Sequence, residues 1–493
     1  MSGHNYLAFD LGAESGRAVL GTLTRGRLSI REIHRFPNGP RNLFGRLHWN
    51  IYGLWDEMKT AMAACSAQAE AKPESIAVDT WGVDFGLLGK DGEILGLPFA
   101  YRDLRNVKAM EKFFEKISKE RIYEVTGIQF MPFNSLFQLH ALALENPALL
   151  ESAAHLLFMP NIFTYFLTGQ KTTEPTIAST SQLLDPRTRK WSPELFAALG
   201  VSVDIMPGMV TPGTRLGNLL PDVAQETGLV EISVVATAGH DTASAVAAVP
   251  ASGKNWAYIS SGTWSVMGIE THEPLITAQT HRLNFTNEGG MENTIRFLKN
   301  IAGLWLVQQC RKKWSERRPV SYEELAAAAA TAEPFRAFVD PDAGDFLNPP
   351  DMPAAIQRYC RDSGQAVPQS QAEIIRCALE SLALKYRAVL EELKQVSPRP
   401  IDKIHIIGGG SKNELLCRFA ADATALPVVT GPAEATAIGN IMGQALALGH
   451  VGSLKEIRDI IAASTELKTY EPRETDAWGE AFGRFQSIRL GKK

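Results

Sequence analysis

Residues 6–19 read YLAFDLGAESGRAV and residues 256–267 read WAYISSGTWSVM. Each is an apolar strand, a turn of glycine and small polar residues, and a second strand. Backbone N–H groups in such a turn point outward and can hold phosphate oxygens. Taken alone, either hairpin reads equally well as an ordinary glycine turn. Two of one shape, one in each half of the chain, point to a duplicated architecture closing on a nucleotide from both sides. Phosphoryl transfer is the first chemistry this suggests.

The flanks of the first hairpin extend the pattern. Tyr6–Phe9, Ala18–Leu23 and Leu28–Phe36 alternate as strands, and Ile51, Leu54, Trp55, Met58 and Met62 recur at helical steps. A strand at Ser75–Asp79 follows, then a mostly helical middle over 106–189. A strand at Ile232–Ala238 runs into Gly239-His240-Asp241-Thr242 and a small-residue helix, Ala243–Val249. In the second half, Ile375, Leu379, Leu382, Tyr386, Val389 and Leu393 form one apolar helix face. A strand at Lys403–Ile407 enters Gly408-Gly409-Gly410, followed by a strand at Pro427–Val429 and a helix at Glu434–Leu448. Strands followed by helices in both halves predict an α/β protein. The turn cluster Pro250-Ala251-Ser252-Gly253 divides it into expected domains 1–250 and 251–493.

The chain's 493 residues exceed one compact core. Its 45% hydrophobic and 21% charged residues are ordinary for a soluble globular protein. A formal net charge of -4 gives no electrostatic reason for nucleic acid or an anionic membrane as partner. No apolar run is long enough to span a bilayer and no leader pattern opens the sequence, so the cytoplasm is the expected address. Five scattered cysteines lack CxxC spacing, which argues against zinc, and a Cys360–Cys377 bridge stays open.

Several segments carry candidate chemistry. In Asp10-Leu11-Gly12-Ala13-Glu14-Ser15-Gly16-Arg17, the glycines allow close approach, while Ser15 and Arg17 suit phosphate. Asp10, at a strand end, can hold a hydrated Mg²⁺. Gly408-Gly409-Gly410 has more glycines than a strand-to-helix turn needs, as a nucleotide-approach turn would. No G-x-G-x-x-G or Walker A sequence is present, against Rossmann and P-loop readings. Asp241 and Thr242 read either as helix caps or with Asp241 as a general base. Asp79-Thr80-Trp81-Gly82-Val83-Asp84 offers a stacking face and acceptors to a polyol, or is a tight turn with Trp81 in the core. Tyr101-Arg102-Asp103 and Asn300 are weaker polar candidates.

Together, DLGAESGR, DTWGVDF, LPFAYRD, TGIQFMPFNSLFQL, GHDTASAV, SSGTWS, TNEGG, LKNIAGLWL and GGGSKN resemble the FGGY carbohydrate kinases from Tyr6 to about Gly449. The resemblance implies two actin-like (ribonuclease H-like) domains with a central cleft. The N-terminal one would bind sugar and carry the first phosphate hairpin, and the C-terminal one would bind nucleotide. It implies ATP- and Mg²⁺-dependent phosphorylation of L-rhamnulose at its 1-hydroxyl, in L-rhamnose catabolism. Asp241 would be the catalytic base, and Gly82, His240, Asp241, Thr242 and Asn300 would contact the sugar. Ala13, Glu14, Ser15, Gly16, Arg17, Thr263, Gln308 and Gly409 would contact ATP, and Asp10 the metal. Ala13 stands where the wider family usually has threonine, so Ser15 must supply the hydroxyl. Glu14 is unexpected beside phosphates and is expected to point away from ATP or to meet Mg²⁺ through water. The nearest alternative is a kinase of L-fuculose or a pentulose. An actin-like conformational ATPase leaves DTWGVDF and Asn300 unexplained, and a dehydrogenase lacks its dinucleotide fingerprint. The expected assembly is a monomer or weak homodimer, with neither nucleic acid nor membrane as partner.

Overall fold

The computed structural model describes residues 3–68 and 72–491. The chain forms two compact units. Unit 1 comprises Met1–Pro250, Glu270–Phe297 and Ala435–Ser464; unit 2 comprises Ala251–Ile269, Leu298–Glu434 and Thr465–Lys493.

Unit 1 is built on a six-stranded sheet: β1 (His4–Leu11), β2 (Ser15–Thr24), β3 (Arg27–Pro37), β4 (Ser75–Thr80), β5 (Thr214–Asn218) and β6 (Ser233–Ala236), in the order β5-β6-β4-β1-β2-β3. β1, β4 and β6 run parallel at its centre. β4 is buried on both faces and β1 nearly so, which is why they read as near-continuous apolar runs. β3 is an edge strand and carries exposed Arg27, Arg31, Glu32 and Arg35, charges that discourage pairing with another chain. One face is covered by the helix Ile51–Ser66, whose Leu54, Met58 and Met62 join Leu7, Phe9 and Val78 in the core. Asn50 starts that helix by accepting from Gly53 N–H at 3.1 Å.

The expected Glu434–Leu448 helix is found at Ala435–Ala447 and packs on β1 and β4 in unit 1. It also packs against the helix Asp241–Ala247 so tightly that a Cβ at Gly439 would lie 1.8 Å from Ser244 O. Only glycine permits that approach.

In unit 2, β7 (Trp256–Ser261) pairs antiparallel with β8 (Trp264–Thr271) and parallel with β9 (Lys403–Ile407). β10 (Val428–Thr430) lies parallel beside β9, and β11 (Thr469–Tyr470) closes the edge. The long helix runs Gln371–Val396, with a capping box of Ser370 and Glu373. Its Tyr386 hydroxyl meets Ser265 Oγ at 2.8 Å. Each unit thus repeats one device: a glycine-turn hairpin whose first strand has a parallel neighbour on its other side. All five cysteines are buried and free, Cys360 and Cys377 included.

Candidate active site

The carboxyl ends of the parallel strands in unit 1 bring three acids together. Asp10 and Asp79 are register partners on β1 and β4, so they sit side by side. Thr80 N–H donates to Gly239 O at 2.9 Å, which seats Gly239-His240-Asp241 beside the end of β4. Asp79 is fully buried, with Oδ2 accepting from Asn440 Nδ2 at 2.6 Å and Oδ1 unpartnered. Burial first, then the charges of Asp10 and Asp241, push its carboxyl well above the ordinary range against the pull of Asn440. Asp10 Oδ2 receives Arg17 Nη2 at 2.7 Å and Nε at 3.0 Å from the facing position on β2. The guanidinium expected at a phosphate is therefore also the partner of the expected metal ligand.

Between them lies the turn 12–14. Gly12 N–H donates to Ser15 O at 2.9 Å, and Asn38 ties the turn to β3 by donating to the carbonyls of Glu14 (3.0 Å) and Gly12 (2.7 Å). Glu14 is exposed and Ala13 packs against the core. Gly16 has a packing reason that the sequence did not reveal: a Cβ there would lie 2.2 Å from the Phe36 ring.

The 79–84 segment divides between two roles. Trp81 is in the core, its ring 4.1 Å from that of Trp49, so the core reading of this residue is the correct one. Asp84 is also not a sugar acceptor. It is fully buried and accepts from Trp49 Nε1 (2.6 Å), Trp81 Nε1 (2.9 Å), Gln138 Nε2 (2.7 Å) and Tyr101 N (3.1 Å). Burial raises its carboxyl to about 6 despite these four donors. Val83 is held at φ 67°, a left-handed conformation rare for a β-branched residue, by bonds from Ser135 to its carbonyl and to Thr180 from its N–H. Gly82 is left half-buried, with His240 Nε2 3.2 Å from where its Cβ would stand. Asp103 of the 101–103 segment is likewise structural, accepting from Leu47 N at 2.9 Å and Arg105 N at 3.0 Å.

Asp241 is the first residue of its helix, and the N-cap position falls to His240, whose side chain makes no cap bond. Neither Asp241 nor Thr242 is therefore the N-cap residue, although the Asp241 carboxylate takes up one of the free N–H groups of the first turn. Asp241 Oδ1 accepts from Thr242 N–H and from Thr242 Oγ1 at 3.0 Å, with His240 Nε2 at 3.4 Å. Around this turn stand residues to which the sequence reading assigned no role. Glu174, buried, accepts from Gly239 N–H at 3.0 Å and from Thr176 and Ile177. Glu288 and the fully buried Arg296 form an ion pair at 3.0 Å beside His240. Glu288 lies in the TNEGG segment, its one visible signal; Glu174 and Arg296 gave none.

The other expected ligand residues belong to unit 2. Gly408 takes φ 80°, and a Cβ on Gly410 would lie 2.1 Å from Ser261 Oγ, so both have local reasons to be glycine. Gly409 does not: its Cβ would face open space. Thr263 sits in the β7–β8 turn and accepts from Trp305 N–H at 3.2 Å. Gln308 lies in the helix Trp305–Ser315 with a buried, unpartnered Oε1, and Asn300 lies on the strand Ile295–Ala302.

The N-terminal domain of the FGGY family of carbohydrate kinases matches residues 5–248, and its C-terminal domain matches 257–448. The chain belongs to the FGGY family of carbohydrate kinases. It is a phosphotransferase with an alcohol acceptor, on the two-domain actin-like fold. The chain is 50% identical over 483 residues to the rhamnulokinase of Bacteroides thetaiotaomicron, covering 98% of this chain and 99% of that protein. It is 42% identical over 490 residues to the rhamnulokinase of Pectobacterium atrosepticum, covering 99% and 97%. Plasmodium falciparum glycerol kinase, solved with ADP, matches in structure with a TM-score of 0.81 at 14% identity, covering 100% of this FGGY chain and 98% of that one.

Proposed function

We propose that this FGGY kinase transfers the terminal phosphoryl group of ATP to the 1-hydroxyl of L-rhamnulose, giving L-rhamnulose 1-phosphate and ADP in L-rhamnose catabolism. The near-full-length identity to rhamnulokinases supports the substrate. The observation that carries the chemistry is Asp241, a carboxylate at the end of the parallel strands with its Oδ1 already engaged. Asp241 takes the hydroxyl proton as the sugar oxygen attacks the γ-phosphorus. The new O–P bond forms as the bond to the β,γ-bridging oxygen breaks, and its electron pair leaves with ADP. Positioning and charge neutralisation supply most of the rate, and the base adds about 10²–10⁴-fold.

On the sugar side the reading assigns Gly82, His240, Thr242 and Asn300. On the ATP side it assigns the 13–17 turn, Thr263, Gln308 and Gly409. The orphaned Gln308 Oε1 suits a donor on the nucleotide, and the open space at Gly409 suits close approach of a ligand. Mg²⁺ fits the acids of unit 1: hard oxygen donors, one of them the unpartnered, buried Asp79 Oδ1. Asp10 and Asp79 would hold it, directly or through water, and it would neutralise phosphate charge. Water in the acceptor position would hydrolyse ATP, so the sugar must displace it. No described helix is long and apolar enough to cross a membrane, and the proposed setting is the cytoplasm.

An ADP-release assay across ketoses tests the reading. L-Rhamnulose is expected to give the highest kcat/KM. A higher value for L-fuculose or a pentulose would overturn the substrate, and equal ADP release without any sugar would overturn the kinase.

A further inference from the structure

Only one oxygen of Asp241 is tied down, and the cause extends into the interior of unit 1. Arg296 is fully buried; its Nε donates to Gly289 O at 2.8 Å and its Nη2 lies 3.1 Å from His240 Nδ1. A guanidinium has no lone pair to accept with, so in that bond Nδ1 must be the acceptor. Glu288 Oε2 is in hydrogen-bond geometry with neither that nitrogen, 3.3 Å away, nor Arg296 Nη2, 3.0 Å away; it neutralises the guanidinium as an ion-pair partner. Neutral His240 is then the tautomer with its proton on Nε2, the nitrogen facing Asp241 Oδ1 at 3.4 Å.

We propose that Arg296, held by Glu288, is a positioning residue: it fixes His240 as the Nε2–H tautomer. Asp241 Oδ1, held by Thr242, then has a donor rather than a lone pair 3.4 Å away at His240 Nε2, and Oδ2 is the oxygen that takes the sugar proton. Thr242 supplies both hydrogen bonds to Oδ1, through its N–H and hydroxyl. A carboxylate with one oxygen held by Thr242 and facing a third N–H does not turn that oxygen to the substrate, so the base meets the hydroxyl in a single orientation. Burial alone would raise the Glu288 carboxyl, but the Arg296 guanidinium beside it holds it below its ordinary range, so the pair stays ionised.

The inference rests on Asp241 as base, and the test separates the two. In the wild-type enzyme, ¹⁵N NMR of labelled histidine is expected to show His240 protonated on Nε2 and bare on Nδ1. Arg296→Lys keeps a donor and is expected to retain most of kcat. Glu288→Met with Arg296→Met removes both charges at once, which avoids stranding either one in the interior. Its kcat is expected to fall about 10²-fold, with KM for ATP unchanged. His240 protonated on Nδ1 in the wild type, or a normal kcat in the double variant, would overturn the positioning role while leaving Asp241 as base. Normal turnover by Asp241→Asn would remove the base reading itself. Should the double variant fail to fold, the wild-type tautomer and Arg296→Lys decide the matter.

Discussion

Replacing Gly439 by alanine should both destabilise unit 1 and slow the enzyme, although alanine is the better helix former. Gly439 lies within the helix Ala435–Ala447, where Gly→Ala ordinarily stabilises by about 1 kcal/mol. Here the added carbon would stand 1.8 Å from Ser244 O, 2.5 Å from Ser244 C and 3.0 Å from its Cα. All three are backbone atoms of the helix Asp241–Ala247, so no side-chain rotation relieves the clash. Real contacts of a Cβ do not fall below 3.0 Å, so the two helices must separate by at least about 1.2 Å. Overpacking costs about 1–3 kcal/mol, and a clash with rigid backbone belongs at the upper end. After the propensity gain the net loss is about 2 kcal/mol, read as a Tm lower by several degrees. One of these helices begins with Asp241 and the other carries Asn440, which donates to Asp79. A shift near 1 Å at such a site costs about 10²-fold in rate. Thermal melts and steady-state kinetics on Gly439→Ala check both numbers. A Tm that rises with kcat unchanged would refute the reasoning, because it would mean that the helix pair is not rigid.

Asp79→Asn should show the opposite balance. The raised carboxyl pKa of Asp79 means that its protonated form is favoured in the folded chain, a contribution full below its unfolded value and lost as pH rises through the folded one. The variant should therefore melt above wild type in EDTA at pH 8, by a margin that shrinks towards pH 4, while Mg²⁺-supported turnover falls. A margin independent of pH would contradict this. In the glycine triplet, Gly410→Ala should lower Tm, since its Cβ would meet Ser261 Oγ at 2.1 Å. Gly409→Ala should melt normally and raise KM for ATP; unchanged ATP kinetics would count against a nucleotide contact there.

Much of the frame was legible because it depends on local signals. The alternation of 18–23 and 28–36, the helical steps from Ile51 to Met62, and both hairpins appear where the pattern placed them. The site was legible only in part. Trp81 and Asp84 share a turn with Gly82, yet two are core and one faces His240, a division made by Trp49, Gln138 and Tyr101 from distant segments. Glu174, Glu288, Arg296 and Asn440 look like surface residues in a sequence. Their partners are remote along the chain: Glu174 holds Gly239 across 65 positions, and Asn440 holds Asp79 across 361. A buried polar residue is recognised by what satisfies it, and that appears only once the chain is folded.

The central claim concerns the Asp241 carboxylate, and one comparison tests it most directly. The kcat of Asp241→Asn with L-rhamnulose is to be set beside its ATP affinity by calorimetry. Asparagine keeps an oxygen to accept from Thr242 but cannot take a proton at neutral pH. The account predicts sugar phosphorylation reduced by at least about 10²-fold with ATP binding nearly unchanged. Turnover close to wild type in a variant that binds ATP normally would contradict it.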